Sequence, residues 1–136
     1  MATYTKFQAF VDNLAEGAFT FSTDTLQVAL SNAANPPSAA SDAVLADFTQ
    51  IAYTNLSSQV ITTISSTQTG GTYSLVLTDL ILTASGAVAA FQYVTIFDQT
   101  AANDELIAFF DYGSEVTLAS GETFTIDFGS SLFTLT

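Results

Sequence analysis

Phe91-Gln92-Tyr93-Val94-Thr95-Ile96-Phe97, the loop from Asp98 to Asp104, and Glu105-Leu106-Ile107-Ala108-Phe109-Phe110-Asp111-Tyr112-Gly113 decide the fold. Both arms are rich in β-branched and aromatic residues and end in polar turn formers, the pattern of two neighbouring antiparallel strands. Alternation along a strand puts Phe91, Tyr93, Thr95 and Phe97 on one face and Gln92, Val94 and Ile96 on the other. Both faces are largely apolar. Such a strand must be covered twice, so it belongs in the middle of a layered structure or against another chain.

Working towards the N-terminus, Leu80-Ile81-Leu82 ends a long extended run from Thr72 to Ala84, with Asp79 as the place where the run bends from one sheet to another. Thr67-Gln68-Thr69-Gly70-Gly71 reads as the turn before it, and Ser57 to Ile64 as another strand. Asp42 to Ala52 places Val44, Leu45, Phe48 and Ile51 at helical spacing, which favours a short helix or turn over an irregular lid on the core. The paired Pro36 and Pro37, among small polar residues, make the stretch from Ser31 into residue 43 a long loop and a candidate contact arm. Phe19 to Leu30 reads as a first long strand. Lys6 to Glu16 reads as a helix, with Phe7, Phe10, Val11 and Leu14 on one stripe, Thr5 as its cap and Gly17 just past its end.

Towards the C-terminus, Glu115 to Leu118 and Thr123 to Phe128 read as a second hairpin about the turn Ala119-Ser120-Gly121-Glu122, and Leu132 to Leu135 as a last short strand. About eight strands with regularly spaced turns point to one mainly β domain, an antiparallel β-sandwich or jelly roll with a short N-terminal amphipathic helix.

The 136 residues include one Lys, no Arg and no His against thirteen Asp and Glu, for a formal net charge of −12. A protein that grips phosphates needs clustered cations to displace counterions, so neither nucleic acid nor an anionic membrane surface is expected as a partner. No apolar run approaches the roughly 18 residues of a membrane span, and no secretion signal is evident at the N-terminus. Charged residues are 10% of the chain and hydrophobic ones 49%, where about a quarter charged is usual. A surface so poor in charge suits burial against other subunits.

Without His or Cys there is neither a Ser-His-Asp triad, nor a thiol nucleophile, nor an ordinary zinc site. Without Arg and with Lys6 alone there is no phosphate clamp. Carboxylates remain: Asp98, Asp104, Glu105 and Asp111 are the residues from which a glycosidase pair would have to come. The loop Asp98 to Glu105 carries enough oxygen for Ca²⁺, but without the regular spacing of a known calcium loop. Each of these acids also has a plain role as a turn former. The expectation is a non-enzyme with no cofactor and no metal.

Several segments resemble a family of small virion proteins of tailed bacteriophages: Ala2-Thr3-Tyr4-Thr5-Lys6-Phe7-Gln8-Ala9-Phe10-Val11, Ile51-Ala52-Tyr53-Thr54-Asn55-Leu56, Asn103-Asp104-Glu105-Leu106-Ile107, and Leu118 to Phe128 through Ala119-Ser120-Gly121-Glu122. The chain is poorer in Lys and Arg than that family. The resemblance implies a capsid decoration or cement protein on the outer surface of the head, with the major capsid protein and copies of itself as partners. The contact residues expected on this reading are Tyr4, Phe7, Phe10, Val11, Leu14, Pro36 and Pro37. A tail component and a glycan-binding sandwich on the virion are the alternatives.

Overall fold

The structure is a computed structural model and describes residues 2–136. In chain order it contains β1 (Thr3–Lys6), α1 (Gln8–Ala15), β2 (Leu26–Ser31), β3 (Val60–Ile61), β4 (Thr63–Thr69), β5 (Thr72–Leu77), β6 (Leu80–Thr83), β7 (Phe91–Asp98), β8 (Leu106–Val116), β9 (Thr123–Ile126) and β10 (Phe133–Leu135). The protein is mainly β, with one α-helix among the described residues, and all its strand pairings are antiparallel. A five-stranded sheet in the order β1-β8-β7-β2-β3 is joined by a three-stranded sheet, β10-β5-β4, and a two-stranded one, β6-β9.

The opening hairpin is the centre of the large sheet. β7 pairs with β8 on one side, Val94 opposite Phe110 and Thr95 opposite Phe109, and with β2 on the other, Val28 opposite Ile96. Residues 94–98 of β7 and 106–110 of β8 are buried without a break. Both faces of this sheet are therefore covered, as its two-sided apolarity requires.

One face packs on the small sheets. Phe91 meets Phe124 edge-on at 5.2 Å and Phe110 lies 6.2 Å from Phe128; Leu75, Leu82 and Ile126 are fully buried beside them. The other face is covered by irregular chain. β2 ends at Ser31, next to Tyr93, while Ala43 and Leu45 bond to Leu106 and Asp104 at the opposite end of the hairpin, and Ile51 N–H returns to Leu30 O. Residues 32–51 must therefore cross the sheet and come back. Within this crossing, Leu45–Asp47 makes a single 3₁₀ turn, held by Asp47 accepting from Ala43 and Val44 N–H. The segment from Asp42 to Ala52 is thus a lid rather than a helix.

The long run from Thr72 divides at Thr78-Asp79 into β5 and β6, which belong to different sheets, and Asp79 Oδ1 accepts from Phe128 N–H at 2.9 Å. Gly70 and Gly71, both at positive φ (60° and 87°), close the β4–β5 hairpin by themselves, so Thr67 to Thr69 belong to the strand.

Three further expectations are corrected. The helix begins at Gln8, not Lys6; Thr5 lies in β1, the N-cap position is Phe7, and it makes no side-chain cap bond. Thr3 to Lys6 pair with Asp111 to Ala108 of β8, and this long-range ladder overrides the local helical spacing. The first long strand starts at Leu26; before it, residues 20–24 turn, with Asp24 Oδ2 accepting from Thr20 N–H at 2.7 Å. The second expected hairpin does not form. Glu115 and Val116 finish β8, and β9 pairs with β6 instead.

Candidate contact surface

Helix α1 leaves β1 directly and lays Phe10 into an aromatic cluster, 5.3 Å from Phe19 and 5.2 Å from Phe133. Gly17, at φ 81°, ends the helix in the left-handed conformation that glycine tolerates. The cluster ties α1 to β10. Between α1, β1 and β10 runs a groove of about 310 Å³, floored by Phe10 and Phe133 and rimmed by Tyr4, Val11, Leu14 and Leu135. A second hollow of about 350 Å³ continues it past Tyr4, between Ala2 and the chain from Asp127 to Leu132. Tyr4 is the partition between them.

Two strand edges bound this surface. β1 is the last strand of the five-stranded sheet and β10 the last of the three-stranded one, so neither has a neighbour on its outer side. Val11 is 51% exposed, Leu135 45% and Tyr4 38%, a cluster of large apolar side chains open to water. Lys6, the one cationic side chain of the sequence, lines the groove, and Asp127 lines the second hollow. Burial alone pushes the Tyr4 hydroxyl up to about 12, so it stays a neutral donor at any physiological pH.

The expected contact residues divide accordingly. Tyr4, Phe10, Val11 and Leu14 are brought together here. Phe7 is fully buried, its ring tilted against Phe109 at 5.2 Å, so it shapes the surface without forming it. Pro36 and Pro37 are elsewhere, on the crossing segment. Pro36 is exposed beside a polar hollow of about 280 Å³ with Asp47 and Phe48, and Pro37 is buried. Lys6, Phe133 and Leu135 are not among the contact residues expected from the sequence. Alternation of Phe133 and Leu135 suggests a common face, but not which element they meet.

Asp98 and Glu105 of the β7–β8 turn accept from their own loop. Asp98 Oδ1 accepts from Thr100 and Ala101 N–H at 2.9 and 3.1 Å, and Glu105 accepts from Asn103 through both oxygens. Asp111, further along β8, accepts from Gln92 Nε2 and Gly113 N–H. No cluster of three or more potential metal-ligating acids occurs among the described residues, and no helix is long and apolar enough to cross a membrane.

Comparison with family models, with curated proteins and with solved structures finds no match to this chain.

Proposed function

We propose that the protein is a virion structural component, a decoration or cement protein that binds the outer surface of a bacteriophage head and bridges its subunits. The reading rests on the sequence resemblance to small virion proteins, and on the β1–α1–β10 groove as the surface that would carry the binding. That groove is the single observation supporting it: an open apolar seam between two unpartnered strand edges, on a chain with almost no cationic charge and no reactive side chain outside its acids.

On this reading the five-stranded sheet and the sheets packed on it form the two layers of a β-sandwich, a rigid plug whose apolar seam meets the major capsid protein or a neighbouring copy. Cementing then works by area. Many modest contacts repeated over a closed shell act together, so each need not be strong. The acidic remainder faces away from packaged nucleic acid and repels it.

The test is binding to purified heads. Wild-type protein should cosediment with heads in a saturable, high copy number, and Val11→Asp with Leu135→Asp should abolish cosedimentation while leaving the melting temperature of the free protein within a few degrees. Binding only to isolated tails, or full head binding by the double variant, overturns the reading.

A further inference from the structure

Outside the groove, one buried group has no partner for half of its charge. Asp98, at the end of β7, is 0% exposed; its Oδ1 takes two backbone N–H donors, while its Oδ2 has no hydrogen-bond donor within reach. Opposite Asp98 in the ladder stands Leu26 of β2. Two residues before Leu26 is Asp24, whose side chain meets that of Asp98. The backbone pins the two turns together around them: Gln99 N–H donates to Thr25 O at 2.9 Å, and Thr25 N–H donates to Thr100 Oγ1 at 2.8 Å. Asp98 is buried and Asp24 half-buried beside it, and a buried carboxyl in contact with a second one is costly to ionise.

We propose that Asp98 keeps its proton in the folded chain, directed at the Asp24 side chain, and that this carboxyl pair is an acid-closed latch holding the turn before β2 against the β7–β8 turn. The proton sits on Asp98 Oδ2 and is donated to Asp24, while Asp24 Oδ2 keeps its bond from Thr20 N–H. When the proton leaves to solvent, two adjacent carboxylates remain and the latch is pushed open.

The surroundings supply no cation to neutralise it. Asp104 and Glu105 of the same turn and Asp42 and Asp47 of the crossing segment are all acids, and Asp42, Asp47 and Glu105 accept N–H bonds of their own. Lys6 pairs with Ala108 on β1, two strands away from β7. Burial first, and then the Asp24 carboxyl, push Asp98 up to about 7 against the opposing pull of Thr100 and Ala101 N–H. The folded chain therefore holds a proton that the unfolded chain, with an ordinary aspartate near pH ~4, has already lost. Stability from this pair is fully present below the unfolded value and is lost as pH rises towards about 7.

The experiment is equilibrium denaturation of the full chain between pH 5 and 8.5, comparing wild type, Asp98→Asn and Asp24→Asn. Asn at 98 mimics the protonated acid, since its oxygen still accepts from Thr100 and Ala101 while its amide donates to Asp24. One titrating proton changes the folded-to-unfolded ratio by about tenfold per pH unit. Wild type should therefore lose stability relative to Asp98→Asn over this range, and the variant should be the more stable protein at pH 8. Amides of Thr25 and Gln99 should exchange faster at pH 8 in wild type, beyond the ordinary rise in exchange rate, and not in Asp98→Asn. Parallel pH profiles for the two proteins overturn the latch. So does millimolar calcium at pH 8 raising the melting temperature of wild type alone, because the pair then holds a cation where we place a proton.

Discussion

Thr95, in the middle of β7, carries a hydroxyl with no partner, and Ser31, its diagonal neighbour across the β2–β7 pair, carries another; both residues are fully buried. An unmet hydroxyl in such a place costs about 1–3 kcal/mol. Thr95→Val keeps the β-branched shape that a strand favours and removes the cost. It should leave the protein as stable or raise its stability by about 1 kcal/mol in urea denaturation. The reverse holds at Gly86, where an added Cβ would lie 2.9 Å from Asn55 Nδ2. That amide is not free to move, since it donates to Ala87 O at 2.9 Å from a residue held at φ 59°. Gly86→Ala should lower the urea midpoint, by about 1–3 kcal/mol of stability.

At the scale of the element, α1 is short and lacks a side-chain cap, so its stability comes from what it packs on rather than from its own propensity. Phe10 joins it to Phe19, Phe21 and Phe133. Phe10→Ala should cost about 3–5 kcal/mol in chemical denaturation, as the loss of a buried aromatic ring does. Val11, one residue along, points outwards, and Val11→Ala should change stability by less than about 0.5 kcal/mol.

This contrast also marks what the sequence disclosed. Two-sided apolarity picked out β7 and β8 as the covered centre, Asp79 marked the passage between sheets, and the stripe Phe10-Val11-Leu14 marked the helix that borders the groove. Local pattern failed where a distant partner decided the outcome. Thr5 reads as a helix cap until β8 is present to pair with it. Glu115 to Leu118 reads as half a hairpin because nothing local shows that β6, some forty residues earlier in the chain, has the better claim on β9. The groove itself was half legible for the same reason, since its far wall is β10.

For the whole molecule, a net charge of −12 sets copies against one another, and the repulsion is screened over about 10 Å at 0.1 M salt. The apolar groove pulls the other way and is insensitive to salt. Raising the salt from 20 to 500 mM should therefore strengthen any association through this surface, where a phosphate-binding protein would weaken. Sedimentation velocity at the two salt concentrations reads the difference directly.

The register of β1 has a consequence for how the protein is made. Thr3 finds its place opposite Asp111, so β1 has no sheet to join until the hundred or so residues up to β8 have also been synthesised, roughly 5–20 s later at ordinary elongation rates. Through that interval Phe7 and Phe10 travel uncovered on a nascent segment that has nowhere to dock. Newborn chains of this protein should consequently be clients of ribosome-associated holdases, released only when the eighth strand emerges.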